Sequence, residues 1–121
     1  MASRRYTCGL DAAMDVVGGK WKSLILWALH SEPRRFGQLR QLLPGISEKV
    51  LITHLRELVS AGVVHREVYP QTVLKVEYSL TPYGMRLFDS LRPLALWGQE
   101  HMNRQTAAES ADENDTGRLS A

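Results

Sequence analysis

Apolar and polar residues recur along this chain with two different periods, and the changes of period divide it into elements. Over residues 20–30 (KWKSLILWALH), Trp21, Leu24, Ile25 and Ala28 fall at helical spacing with Leu29 beside them. A shorter run at 11–18 predicts a preceding helix with Asp11 as its cap, and Gly18-Gly19 separates the two. After the stop at Ser31-Glu32-Pro33, FGQLRQLL places Phe36, Leu39, Leu42 and Leu43 on one face, and Pro44-Gly45 ends it. ISEKVLITHLRELVSAG (46–62) is a further helix, with Ser47 as N-cap, Glu48 in the first turn and Gly62 at the C-terminal end. Its Leu51, Leu55 and Leu58 make a core stripe flanked by Val50, His54 and Val59. Lys49, Ile52, Thr53, Arg56 and Ser60 lie opposite. The period then drops to two. VVHREVY (63–69) and LKVEYSL (74–80) predict strands joined through Pro70-Gln71-Thr72-Val73. Thr81-Pro82 opens a last helical segment, which Pro93 is expected to break or kink into two, with Leu87, Leu91, Leu94, Trp97 and Met102 on its apolar side.

Two short helices joined by a tight turn and followed by a hairpin form the pattern of a winged helix-turn-helix. The expected class is α+β, mainly α, a winged helix-turn-helix with a two-stranded β-hairpin wing. A helix seated by one leucine stripe leaves its other face free to enter a major groove about 12 Å wide. The hairpin tip would lie over an adjacent phosphate or minor groove.

Composition narrows the reading further. The 121 residues, 44% apolar and 23% charged, suit one globular domain. No run of about 18 apolar residues is present, and the N-terminal residues have no apolar core of a secretory signal. A single cysteine builds neither a disulfide framework nor a thiolate zinc site. The chain is therefore expected to be cytoplasmic, with no membrane partner. Residues 107–121 carry net charge −3 and few large apolar groups, and are expected to be a disordered acidic tail. Residues 1–106, the expected domain, then carry +5, which suits a polyanionic partner.

The strings VVGGKWKSLILWAL, RRFGQLRQLLPGISEKVLITHLRELVSAGVVHREVYP and VEYSLTPYG resemble the HxlR-type bacterial transcriptional regulators, from about Cys8 to about Leu96. The resemblance implies a homodimeric winged-helix protein that binds double-stranded DNA, with its first and last helices at the dimer interface. Two positions depart from the family's pattern. Gly9 follows the cysteine where proline is frequent, and Val73-Leu74-Lys75 precedes VEY where a second proline is common.

In that context Lys49, Thr53 and Arg56 are candidate groove contacts, Ile52 a candidate for a thymine methyl, and Ser47 for a phosphate at the helix N-terminus. His54 is either an edge contact or a neighbour of Val50. Arg34, Arg35 and Arg40 surround the FGQLRQLL helix as candidate phosphate clamps, and Arg66, Gln71 and Lys75 are the wing candidates. The aromatic residues Trp21, Trp27, Tyr69, Tyr78 and Trp97 are assigned to core or interface. Leu94, Trp97 and Met102 are more apolar surface than so small a core can cover, which a dimer would bury.

Cys8 precedes a helix start and follows Arg4 and Arg5, surroundings that favour thiolate. The resemblance implies sensing of an oxidant or an electrophile such as a quinone at this position. The competing reading is a small hydrophobe packed against the dimer partner. The four histidines share no metal-ligand spacing and there is no phosphate-binding glycine loop, so neither an enzyme nor a cofactor is expected. The expected function is a repressor on a pseudo-palindromic operator whose half-sites lie about 34–36 Å, or a multiple, apart. Two alternatives stay open: a regulator switched by a small-molecule ligand at the dimer interface, and a protein-interaction module that does not bind DNA.

Overall fold

The computed structural model describes the backbone of residues 5–120 and the side chains of residues 5–113. Its elements are α1 (Gly9–Val17), α2 (Trp21–Leu29), α3 (Phe36–Leu42), α4 (Glu48–Ser60), β1 (Val64–Tyr69), β2 (Lys75–Leu80) and α5 (Pro82–Ser120). They follow the predicted order up to the last segment, which is one helix containing Pro93. Asp11 is not the cap of α1. Cys8 occupies that position, and Asp11, inside the first turn, accepts the backbone N–H of Thr7 at 3.0 Å.

The chain divides into two compact units, residues 1–89 and residues 90–121. The core of the first is aliphatic: Ile25, Leu26, Leu39, Leu51, Leu55, Leu58, Val63 and Val64 are almost fully buried, with Phe88 at its edge. Burial of each large aliphatic side chain is worth about 1.5–3 kcal/mol. Helix α2 touches α1, α3, α4 and β2, so its buried arc is wide. Leu26 is inside with Ile25, Ala28 and Leu29, whereas Leu24, which shares their helical spacing, is exposed. Of the aromatics assigned to core or interface, none is fully buried in the single chain. Trp21 and Tyr78 are half-buried, and Trp27, Tyr69 and Trp97 are exposed.

Strands β1 and β2 pair antiparallel, from Val64 opposite Leu80 to Tyr69 opposite Lys75. The other edge of β2 is also occupied. Arg34 and Tyr78 exchange both backbone hydrogen bonds, at 2.9 and 2.8 Å, which ties the α2–α3 connection to the hairpin.

The hairpin is anchored where it meets α5. The Thr81 hydroxyl donates to the Gly62 carbonyl at 2.6 Å and accepts the Gly84 N–H at 3.0 Å, so one side chain caps α5 and holds the end of α4. Pro82, with no N–H to satisfy, fills the first helical position. Gly84 is required here because a β-carbon would lie 2.0 Å from the Val63 carbonyl oxygen.

Helix α5 does not end at Pro93. The proline offers no N–H to the carbonyl four residues back, yet the helix continues on both sides of it. It also continues over residues 107–120, where the sequence predicts disorder. Ala107, Ala108, Glu109 and Ala111 are good helix formers and no proline follows Pro93, so helix once begun propagates.

Replacing Gly84 by alanine should push a methyl group into the Val63 carbonyl and lower stability by about 1–3 kcal/mol. The urea midpoint should fall. An unchanged midpoint would show that the α5 start moves freely away from β1.

Candidate nucleic-acid interface

Ser47 begins α4 as an N-cap, its Oγ accepting the Val50 N–H at 3.1 Å. Leu51, Leu55 and Leu58 then turn one stripe of the helix into the core. The opposite positions follow from the 3.6-residue period. Lys49, Ile52, Thr53 and Arg56 are all exposed. The Thr53 hydroxyl donates to the Lys49 carbonyl at 2.9 Å, which fixes its rotamer and leaves its methyl group and oxygen lone pairs outward. Lys49 and Arg56 have no carboxylate partner among the described residues, so their charge stays available.

His54 sits at the inner edge of this face, half-buried beside Val50. Its Nδ1 is buried without a hydrogen-bond partner, 4.0 Å from the Glu57 carboxylate. Glu57 in turn pairs with Lys22 of α2. The Lys22 hydrogen bond holds the Glu57 carboxyl below its ordinary value of 4.5, against a smaller opposing effect of burial. This tie between α2 and the outer flank of α4 was not foreseen, since the two residues lie far apart in the sequence.

Alternation places Arg66 and Tyr78, cross-strand partners, on the same face of the hairpin. They join Ile52, Leu55, Arg56 and Val59 around an open groove of about 390 Å³ between α4 and the wing. The candidates Arg56 and Arg66 thus meet over an apolar floor. The other wing face carries its polar groups in pairs. Glu67 and Glu77 oppose one another, and each is paired along its own strand, with His65 at 2.6 Å and Lys75 at 2.9 Å. Lys75 also lies 5.1 Å over the Tyr69 ring, so it is held at the root of the wing tip. Gln71 is exposed on the tip itself.

The arginines around α3 divide. Arg35 and Arg40 are exposed at its two ends, and the Arg35 N–H donates to the Gln38 side chain at 2.8 Å, closing the first turn. Arg34, expected beside them as a phosphate clamp, turns inward. Its guanidinium donates to the Ala28 carbonyl at 3.1 Å, to Glu32 at 2.6 Å and to Ser31 at 3.3 Å. With its backbone in the bridge to Tyr78, it fastens the end of α2 to the hairpin.

Elsewhere in the first unit, Tyr6, Asp15, Val16, Lys22, Glu57, Ser60 and Ala61 line a second cleft of about 540 Å³. Cys8 is exposed at the start of α1; Arg4 lies outside the described residues. In the second unit Leu94, Trp97 and Met102 are exposed, Trp97 at 60%, and its ring stacks on His101 at 5.1 Å. Among the described residues no three histidine, cysteine or carboxylate side chains converge as a metal site, and no helix is long and apolar enough to cross a membrane.

Comparison with known proteins adds independent information. The profile of the HxlR-like helix-turn-helix family matches residues 16–106. The HTH-type transcriptional regulator YtcD of Bacillus subtilis (strain 168), itself uncharacterised, is 42% identical over 104 residues, 86% of this chain and 82% of that one. The redox regulator HypR, in its oxidised form, superposes with a TM-score of 0.73 at 40% identity, over 77% of this chain and 96% of that one. The reduced form of the transcriptional regulator YodB from B. subtilis gives 0.70 at 32% identity, over 78% and 94%.

Two outcomes follow. Arg34→Ala should lower the urea midpoint, because three donors and the latch they form are lost, while Arg35→Ala should leave it nearly unchanged. Equal midpoints would place Arg34 outside the structural framework. For Glu57, the folded carboxyl is lower than the unfolded one. Its contribution is therefore present above the unfolded value and fades as pH falls through the folded one. Glu57→Gln should cost at most about 1 kcal/mol at neutral pH, since Glu57 is half exposed. The midpoints of variant and wild type should converge as the pH drops below 4.5.

Proposed function

Because the chain belongs to the HxlR-like helix-turn-helix family of transcriptional regulators, we propose that it is a cytoplasmic, sequence-specific DNA-binding protein acting as a homodimer on a pseudo-palindromic operator. The observation that carries this reading is the division of α4. One stripe is committed to the core, and the other presents Lys49, Ile52, Thr53 and Arg56 beside the Arg66 groove with their charges unspent. Such a face fits a major groove.

Arg56 makes a bidentate contact to a guanine, worth about 1–3 kcal/mol of base discrimination, and Ile52 meets a thymine methyl. Lys49 and Thr53 complete the groove contacts, and Ser47 lies by a phosphate at the helix N-terminus, where backbone N–H groups also point. His54 contributes at the edge only. Arg35 and Arg40 bind phosphates without reading sequence, as Arg66 and Gln71 do from the wing. Lys75 contributes less, being paired with Glu77. The domain comprises residues 1–106. Its terminal helices form the dimer, and Leu94, Trp97 and Met102 are buried against the second copy. The recognition helices of the pair are then set about 34–36 Å, or a multiple, apart. Repression is the economical mode, since a dimer seated on its operator occludes polymerase.

Switching is assigned to Cys8. The similarity to HypR, a redox regulator, and the exposure of the thiol support it. With one cysteine per chain, oxidation gives a disulfide between subunits or with a small thiol, and a quinone gives an adduct. Either event at the start of α1 alters the dimer interface and so the spacing of the recognition helices.

Operator binding by variants tests the whole reading. Arg56→Glu should abolish binding and leave dimerisation intact, whereas Arg35→Ala should weaken binding on every sequence and flatten its salt dependence by about one unit of slope. Equal loss on specific and random DNA from Arg56→Ala would move the base contact elsewhere. Wild type should release DNA with diamide while Cys8→Ser stays bound. If both respond alike, the signal is a ligand at the dimer interface, and if Arg56→Glu binds as wild type does, the chain is an interaction module instead.

A further inference from the structure

The tip of the wing offers a phosphate no cation, only the neutral side chains of Gln71 and Thr72. Between Tyr69 and Lys75 the five residues Pro70-Gln71-Thr72-Val73-Leu74 carry no charge, and Val73 and Leu74 are 77% and 66% exposed. Turn tips are ordinarily polar, because nothing there offsets the cost of wetting apolar surface. The nearest cation, Lys75, is already held by Glu77 and Tyr69. Over residues 64–80 the charges of Arg66 and Lys75 cancel those of Glu67 and Glu77. The tip therefore offers a partner shape and apolar surface, on a root stiffened by that ion pair and ring contact.

Its position indicates the partner. Tyr78 lines the groove beside α4, and Leu74 lies four residues further out along the same chain direction. At strand rise that is about 13 Å beyond the groove. Major and minor grooves alternate within each turn of B-DNA, about 34–36 Å, so with α4 in a major groove a tip of that reach extends toward the minor groove beside it. A tip that arrives there with only neutral groups such as Gln71 for a phosphate can still place its aliphatic side chains between base steps, as aliphatic wedges do in proteins that kink DNA from the minor groove.

We infer that Val73 and Leu74 form an apolar wedge that enters the minor groove flanking the α4 site, partly unstacks a base step and bends the duplex. The inference rests on the DNA-binding reading above and adds to it a deformation of the site. Sequence preference then extends to positions that no side chain reads directly, because flexible pyrimidine–purine steps open more easily than stiff ones.

The test uses the full chain and duplexes it selects from a random-sequence pool. Bending is read from the gel mobility of circularly permuted fragments, and unstacking from 2-aminopurine placed in the flanking minor-groove step. The wild type should bend its duplex by an angle within about 20–90° and brighten the 2-aminopurine. The double variant Val73→Ser/Leu74→Ser, altered only at exposed positions, should bind the same duplex a few-fold more weakly, with most of the bend and the brightening gone. A straight duplex or dark 2-aminopurine under the wild type overturns the wedge and leaves the DNA-binding reading intact, as does an equal bend from the double variant. If the wild type selects no duplex at all, both fail together.

Discussion

Three leucines on α4 set the rotation of that helix about its own axis, and most of the molecule's proposed chemistry depends on that rotation. Leu51, Leu55 and Leu58 are each at most 2% exposed. Turning the helix by one residue, about 100°, would carry them off the core face and bring Ile52 and Val59, or Val50 and Glu57, into their place. Losing a buried leucine from such a site costs about 2–5 kcal/mol. Exposed side chains on the opposite face contribute far less to stability. The fold therefore fixes the outward face without depending on its residue types, so contacts there can change with little penalty to the fold.

The remaining ties hold the hairpin against this helix. Thr81 binds the carbonyl of Gly62 just beyond α4, Gly84 lets α5 start against Val63, and Arg34 joins the end of α2 to β2. Each fastens an element adjoining the groove between α4 and the wing. None of these residues need touch a ligand for its loss to disturb the geometry of those that do.

Much of this was legible in the sequence because it is local. The leucine stripe, the Ser47 and Thr81 caps, the Pro44-Gly45 break and the alternation of the two strands are all determined within a few residues. What could not be read depends on distant partners. Arg34 reads as another surface cation beside Arg35, but its backbone bridge to distant Tyr78 holds the turn in which its guanidinium meets Ala28, Glu32 and Ser31. The pairing of Lys75 with Glu77 lies in the pattern of a strand face, but its competition with a DNA role does not. Spacing alone groups Leu24 with Ile25 and Ala28, while the wide contact arc of α2 buries Leu26 and leaves Leu24 exposed. Pro93 shows the opposite error: a strong local rule predicted a break that the helical residues on either side override.

The central claim is that the outward face of α4, with the wing beside it, is where DNA lies. Backbone amide signals of the labelled protein, followed by NMR during titration with a selected duplex, test it directly. The account predicts that the largest shifts fall at 47–56 and 70–75, with little change around the cleft formed by Tyr6, Lys22 and Ser60. Shifts gathered at that cleft, with Lys49 to Arg56 unmoved, would contradict it.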